Sequence, residues 1–400
     1  MTQPSTQTQP SQIEPLTALR FAAAAWVVLF HYWPKLDLAA FGGTVAAGAE
    51  AARPALVAKG YLGVEVFFVL SGFILCHVYL AAVETGRFRY GSFMRARFAR
   101  VYPMHLVTLL GVGALAAAAA LAGLAVGDGL VGWASLPANL LMVHAWGLAP
   151  EAAWNHPSWS ISAEWFAYLA FPAFAAAAAA LRKRPWLAVA LAALLLAGSY
   201  AAFEAATGKL LTQATIAWGA LRIVPPFALG CALFLLWRSG AISGRLRSLG
   251  VLLSSAAGLV AAAALSAPDA LTVLAGGGVI VGLAALWSAR SAETVAGPAM
   301  RVGVYLGEIS YALYMLVAPW ALLFVNGAAK VFGLPGEQLP LPLWLFMTAA
   351  LIPLAAAAHH LVERPARRWL RGEPRREAGA NGSKLGTSRR GGALEPITAR

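Results

Sequence analysis

The sequence predicts an all-α membrane protein, a polytopic bundle of about ten transmembrane helices. Hydrophobic residues make up 60% of the 400 residues, charged residues only 12%, and the mean hydropathy is +0.68. Apolar windows long enough to cross a bilayer recur along the chain. Much of the net charge of +13 falls in short loops and after Leu361, where membrane proteins place cytoplasmic charge. We therefore expect membrane lipids, and no nucleic acid, as partners.

Ten windows have the length and hydropathy of a span. In chain order they cover residues 16–34, 60–82, 102–126, 158–180, 185–203, 214–237, 248–266, 270–287, 303–325 and 341–361. A further stretch, Val131 to Gly147, is short and contains Pro137. Its length and its proline predict an interfacial or re-entrant piece rather than a span.

The basic residues of the short loops predict the orientation. With ten spans and both termini cytoplasmic, the inner loops hold the arginine clusters around Arg97, Arg182 and Arg238. An eleventh span at 131–147 would move the last two clusters outside, which the positive-inside rule disfavours.

The chain is expected to fall into three parts. These are a polar N-terminal tail at 1–14, a membrane domain at 15–370 and a disordered basic cytoplasmic tail at 371–400. No basic n-region precedes the first window, so we expect that window to remain as a span. Cys76 and Cys231 both lie inside apolar windows, and no disulfide is predicted.

The first window carries two ionisable side chains, Arg20 and His31. Eleven residues advance a helix by about three turns and roughly 16 Å, so both side chains leave the same face. Ionisable side chains within a span usually face a bundle interior or a watery cavity. The segment from Leu16 to Trp33 is therefore predicted to form one wall of a polar site through the membrane.

The loop after the second window reads Phe93-Met-Arg-Ala-Arg-Phe-Ala-Arg-Val-Tyr-Pro103. Arg97 and Arg100 are three residues apart and would share a helix face, and guanidinium groups suit phosphate oxygens. These two residues are candidates for binding a phosphate-rich cytoplasmic ligand. Ordinary cytoplasmic charge or contact with lipid head groups is the plainer interpretation, and the loop alone does not decide.

Further polar residues fall inside other windows. Ser71 lies among small residues and either packs between helices or lines a substrate path. Glu164 and Arg222 are expected at a depth similar to His31, so that imidazole, carboxylate and guanidinium converge in the outer half of the bundle. The plainer interpretation is a buried ion pair between Glu164 and Arg222. Glu65 lies near an outer helix end and could be hydrated.

Together these residues resemble the integral-membrane acyltransferase 3 family over roughly residues 15–370. The motifs that carry the resemblance occur in the family's order. They are Leu-Thr-Ala-Leu-Arg20 with His31, Phe67-Phe-Val-Leu-Ser-Gly-Phe73, Arg97-Phe-Ala-Arg100 before Val-Tyr-Pro103, Trp159-Ser-Ile-Ser-Ala-Glu164, Ile309-Ser-Tyr-Ala-Leu-Tyr314 and Val362-Glu-Arg-Pro365.

The resemblance implies transfer of an acyl group from cytoplasmic acyl-CoA to a hydroxyl of a sugar, a glycolipid or a secreted metabolite. Acetyl-CoA is the expected donor, the bacterial inner membrane the expected location, and no metal is expected. The resemblance also implies that His31 is catalytic and that Arg97 and Arg100 serve the CoA donor. Arg20 and Ser71 are assigned to the donor site with them.

Two positions depart from the family's pattern. Val317 stands where many members have a histidine after the Ile-Ser-Tyr motif, and Pro225-Pro226 stands where many have Pro-Glu after the arginine that matches Arg222. Because a nearby carboxylate for Arg222 is missing from the local sequence, more weight falls on Glu164 as its partner.

The hypothesis for the mechanism makes His31 the general base toward the acceptor hydroxyl. Glu164 would orient the imidazole, and Arg222 or a helix-borne hydroxyl would stabilise the oxyanion. An acyl-histidine relay remains open. The alternative from another class is a proton-coupled exporter of a glycan or small molecule, since intramembrane His, Glu and Arg side chains suit transport as well.

Overall fold

A computed structural model describes residues 12–37, 53–123, 129–290, 297–334 and 338–372 of the chain. Most of the two predicted tails, 1–11 and 373–400, lies outside these residues. The α-helices of the described part, in chain order, are α1 (Glu14–Tyr32), α2 (Ala55–Ala58), α3 (Gly63–Glu84), α4 (Tyr90–Leu121), α5 (Leu136–Leu140), α6 (Trp159–Leu169), α7 (Phe171–Leu181), α8 (Pro185–Thr207), α9 (Gly219–Arg238), α10 (Arg245–Ala264), α11 (Asp269–Ser288), α12 (Pro298–Phe332), α13 (Leu341–Ala358) and α14 (Arg364–Arg371).

The fold prediction is confirmed. Within the described residues no β-strand forms apart from one isolated bridge between Leu36 and Leu339. The same residues contain nine helical segments long and apolar enough to cross a membrane, and a bent pair brings the total to ten. The stretch Val131 to Gly147 contains only short helical pieces and no candidate span, as its length and proline predict.

The bent pair consists of His156–Leu169 and Phe171–Leu181, which meet at 59°. Pro172 stands in the first turn of α7 and has no N–H to donate back into α6, so the hydrogen-bond ladder breaks there. The predicted window at 158–180 is therefore one span made of two helices.

Glycines allow the closest contacts between the central helices. A Cβ added at Gly72 of α3 would overlap the Phe227 carbonyl of α9, and one added at Gly230 of α9 would overlap the Val69 carbonyl of α3. Backbones this close gain dispersion contacts, which drive helix association in lipid. The two helices therefore cross in close contact beside the site.

Several spanning helices contain internal prolines. They are Pro103 in α4, Pro225 and Pro226 in α9, Pro319 in α12 and Pro353 in α13. Each proline leaves a carbonyl one turn earlier without its helical donor, and in a membrane that carbonyl needs a neighbouring helix to supply one.

Candidate active site

A polar cavity lies between α1, α3, α4, α6 and α12. It encloses about 850 Å³ of empty space, part of it open to solvent. Its polar lining residues come from all five helices. They are Arg20, Ser71, Arg97, Arg100, Ser160, Glu164, Tyr168, Ser310, Tyr311 and Tyr314. Five of the predicted site residues are therefore brought together in this cavity, namely Arg20, Ser71, Arg97, Arg100 and Glu164.

The cavity is polarised along its length. Arg20, Arg97 and Arg100 gather at one end, which we call the basic end. At the opposite end, which we call the far end, the lining comes from the first turns of α3 and α6, where Val64 and Ser160 lie. Helices α3 and α6 both run from the far end toward the basic end, and the arginines of the basic end come from α1 and α4.

Arg100 is held from behind by a carboxylate. Its Nη1 forms an ion pair with Glu363, and its guanidinium lies 5.5 Å from the Tyr311 ring centroid. Glu363 is fully buried and also shares a 2.9 Å hydrogen bond with His359 Nδ1. These two residues belong to the π-helical turn His359–Glu363 between α13 and α14. Such turns often occur at functional positions because they change the direction of side chains within a helix.

Arg97 is held by aromatic rings rather than by a carboxylate. Its guanidinium lies 5.8 Å from the ring centroids of Tyr79 and Tyr168 and 6.0 Å from that of Phe93. Among the described residues, Arg97 Nε and Arg100 Nη2 are buried without a hydrogen-bond acceptor. Both guanidinium groups line the cavity, so an anion bound there can accept hydrogen bonds from these two atoms.

Glu164 belongs to the basic half of the cavity. It accepts a hydrogen bond from Ser71 Oγ and interacts electrostatically with Arg20 and Arg100. The described residues that line the cavity include one carboxylate, Glu164, and three guanidinium groups. Even with Glu363 counted, the surroundings keep a positive balance that attracts anions.

His31 lies outside the cavity lining, near the opposite end of α1 from Arg20. Its Nδ1 is 2.9 Å from the Val27 carbonyl, and its ring meets Phe30 edge-on at 5.2 Å. A carbonyl only accepts, so Nδ1 must carry the proton and a neutral ring presents Nε2 as the acceptor. His31 also interacts electrostatically with Arg53 and His156.

Glu164, His31 and Arg222 were expected to converge, but each has a different partner in the structure. Arg222 pairs with Glu65 at 2.5 Å, and both side chains are buried. No hydrogen bond or ion pair of the described residues joins Glu164 to His31 or Arg222. Glu65, for which the sequence left hydration open, is 0% exposed. The reason is that Glu65, in the first turn of α3, meets Arg222 of α9 and supplies the carboxylate that is missing from the sequence around Arg222.

Arg222 lies behind the cavity wall. Its guanidinium is 4.4 Å from the Trp159 ring centroid, and its Nη1 donates to the Ala214 carbonyl at 2.9 Å. Trp159 in turn meets the lining residue Phe68 edge-on at 6.2 Å. The structure therefore gives Arg222 a place in the support of the wall, separated from the cavity by Trp159.

Two hydroxyls at the far end received no role from the sequence. Tyr314 donates to the Pro157 carbonyl at 2.9 Å and accepts from Ser160 Oγ at 2.9 Å. Both residues lie inside motifs that carry the family resemblance, which was the available signal. What the sequence does not contain is the distance between them, since they are 154 residues apart. His156 precedes Pro157, so this hydroxyl pair links the cavity to the region around His31.

Comparisons with known proteins agree with this architecture. The family model described as an acyltransferase domain, acyltransferase 3, matches residues 14–360. Acyltransferase MdmB of Streptomyces mycarofaciens is 31% identical over 347 residues, covering 78% of this chain and 82% of the relative. Protein 2 in the picA locus of Rhizobium radiobacter is 46% identical over 52 residues, covering 13% and 27%. No solved structure gives a significant match. The chain belongs to the acyltransferase 3 family and is an integral-membrane acyltransferase.

Proposed function

We propose that the protein is an O-acyltransferase of the bacterial inner membrane that uses cytoplasmic acyl-CoA, with acetyl-CoA as donor. The observation that carries the proposal is the polarised cavity, which joins an arginine-lined end to a hydroxyl-lined end. The acceptor is a hydroxyl of a sugar, a glycolipid or a secreted metabolite. Membership of an acyltransferase family favours this function over the exporter.

The basic end suits the phosphates of a CoA donor. Arg97 Nε and Arg100 Nη2 are buried donors without acceptors, and the guanidinium fork matches phosphate oxygens. Arg20 adds a third cation. Beside it, Ser71 donates a hydrogen bond to Glu164. In this arrangement Glu164 organises the donor site. It does not orient His31, which was its role in the hypothesis drawn from the sequence.

The thioester arm would extend from the basic end toward Ser160 and Tyr314. The Ser160 hydroxyl can turn from Tyr314, and the Tyr314 hydroxyl from the Pro157 carbonyl, so that both donate to the thioester oxygen and stabilise the oxyanion that forms there. This is the helix-borne alternative to Arg222 for that role. Arg222 instead supports the wall through Trp159.

His31 acts as the general base in the proposal. Its Nδ1–H is held by Val27, so Nε2 takes the proton of the acceptor hydroxyl as that oxygen attacks the thioester carbon. The carbon–sulfur bond then breaks, and the CoA thiolate receives the proton from His31. The products are the acyl ester and free CoA, and no metal takes part.

The experiment is mass spectrometry of surface glycans, glycolipids and secreted metabolites from a host in which the gene is deleted or restored. Restored strains carry the wild type, His31→Ala or the matched control His360→Ala, which changes an exposed histidine beside Tyr305. We expect one product to lose the mass of an acetyl group in the deletion and in His31→Ala. Because general base catalysis is worth about 10²- to 10⁴-fold, the loss should be near complete.

Two results would contradict the proposal. Full acylation by a correctly inserted His31→Ala protein would show that His31 is not the general base. An unmodified set of masses, with one product accumulating inside the deleted cells, would favour export instead.

A further inference from the structure

The far end of the cavity contains an apolar pocket beside the two hydroxyls. Val64, Phe67, Phe68 and Ile161 line it, and we call these residues the apolar lobe. If the thioester carbonyl lies at Ser160 and Tyr314, as the proposed function requires, the carbon chain of the acyl group has this lobe as its nearest apolar surface. The size of the lobe then limits the length of that chain.

Phe68 closes the lobe. It is 2% exposed, and its ring meets Trp159 edge-on with centroids 6.2 Å apart. Trp159 is itself only 6% exposed and carries the Arg222 guanidinium 4.4 Å from its ring centroid. The Trp159 ring is therefore packed between Phe68 and Arg222, and it has no free space into which it can move.

The wall behind Phe68 is anchored by charge. Arg222 pairs with Glu65 at 2.5 Å, and their side chains are 2% and 0% exposed. Separating two buried opposite charges leaves each without compensation, which is strongly unfavourable. Trp159 therefore stays in place, and Phe68 cannot retreat when a longer chain enters.

We propose that Phe68 is the residue that sets the upper limit of acyl chain length and restricts the enzyme to short acyl thioesters. This inference rests on the proposed function. It also explains why an intramembrane ion pair lies beside the cavity without lining it, since Glu65 and Arg222 fix the position of the wall.

The test measures equilibrium binding of CoA, acetyl-CoA, butyryl-CoA and hexanoyl-CoA to the full-length protein in detergent. The readout is the ratio of the Kd for hexanoyl-CoA to the Kd for acetyl-CoA, which is independent of the folded fraction of each preparation. One misfitting methylene is worth about 10-fold or more in a hydrophobic pocket, so we expect a wild-type ratio above that value.

The variants are Phe68→Ala, Phe68→Leu and the matched control Phe73→Leu. Phe73 lies on the same helix, is equally buried and packs against Phe234 outside the cavity. We expect the ratio to fall at least 10-fold in Phe68→Ala, less in Phe68→Leu, and to stay at the wild-type value in Phe73→Leu.

Three results would overturn the inference. If wild type binds hexanoyl-CoA as tightly as acetyl-CoA, or if Phe68→Leu and Phe73→Leu change the ratio equally, Phe68 does not set the length while the donor site stands. If CoA itself does not bind, the donor site of the proposed function fails and the inference falls with it.

Discussion

Arg97 and Arg95 lie two residues apart on α4 in different environments. Arg97 lies among three aromatic rings with its Nε buried and unsatisfied, whereas Arg95 is exposed. Hydrogen bonds to charged groups contribute about 1.5–3 kcal/mol, so we expect Arg97→Ala to raise the Kd for acetyl-CoA about 10- to 100-fold. Arg95→Ala is the matched control and should bind like the wild type. Equal weakening in both variants would mean that general positive charge, not a specific contact, attracts the donor.

At the residue scale, five of the seven candidate residues predicted from the sequence line one cavity, whereas His31 and Arg222 do not. The two arginines, Arg20, Ser71 and Glu164 do share one cavity. The sequence could not predict that Arg222 forms its ion pair with Glu65 and not with Glu164. Arg222 and Glu65 are 157 positions apart and meet only because α3 and α9 cross. A general rule was nevertheless available, since a buried intramembrane carboxylate nearly always has a partner.

Helices α3 and α9 pack closely beside the site. Gly72 lies at their crossing, where a methyl group would overlap the Phe227 carbonyl. We expect Gly72→Ala to destabilise the protein by about 1–3 kcal/mol through overpacking. The measurement is thermal unfolding of the detergent-solubilised protein. Gly198→Ala on α8, where nothing lies within 4 Å, is the control and should be neutral or up to about 1 kcal/mol stabilising. Equal losses would exclude a packing role specific to the crossing.

The helices themselves follow closely from hydropathy, because a bilayer leaves apolar segments few alternatives to a helix. Each of the ten predicted windows has a span at its position. The window at 158–180 shows where hydropathy stops being informative. Its average describes one span, but Pro172 divides it into α6 and α7 and turns the second helix by 59°.

For the whole molecule, the basic loops predict which ends of the helices face the cytoplasm. Arg184 and Lys209 are exposed residues at opposite ends of α8, and Cys76 and Cys231 are buried. We expect a membrane-impermeant maleimide to label Lys209→Cys in intact cells and Arg184→Cys only after permeabilisation. The wild type provides the background. The reverse pattern would place the basic end outside the cell and would remove cytoplasmic acyl-CoA as the donor.

Pro319 in α12 ties distant parts of the molecule together. Since a proline cannot donate to the carbonyl four residues before it, the Met315 carbonyl loses its helical partner. Asn155 Nδ2 donates to that carbonyl at 2.9 Å, immediately before the His156–Pro157 segment that touches Tyr314. The proline thus leaves a carbonyl of α12 free to accept the hydrogen bond that attaches the loop before α6. The missing hydrogen bond within α12 therefore helps to fix the position of the Ser160–Tyr314 hydroxyl pair relative to the region around His31.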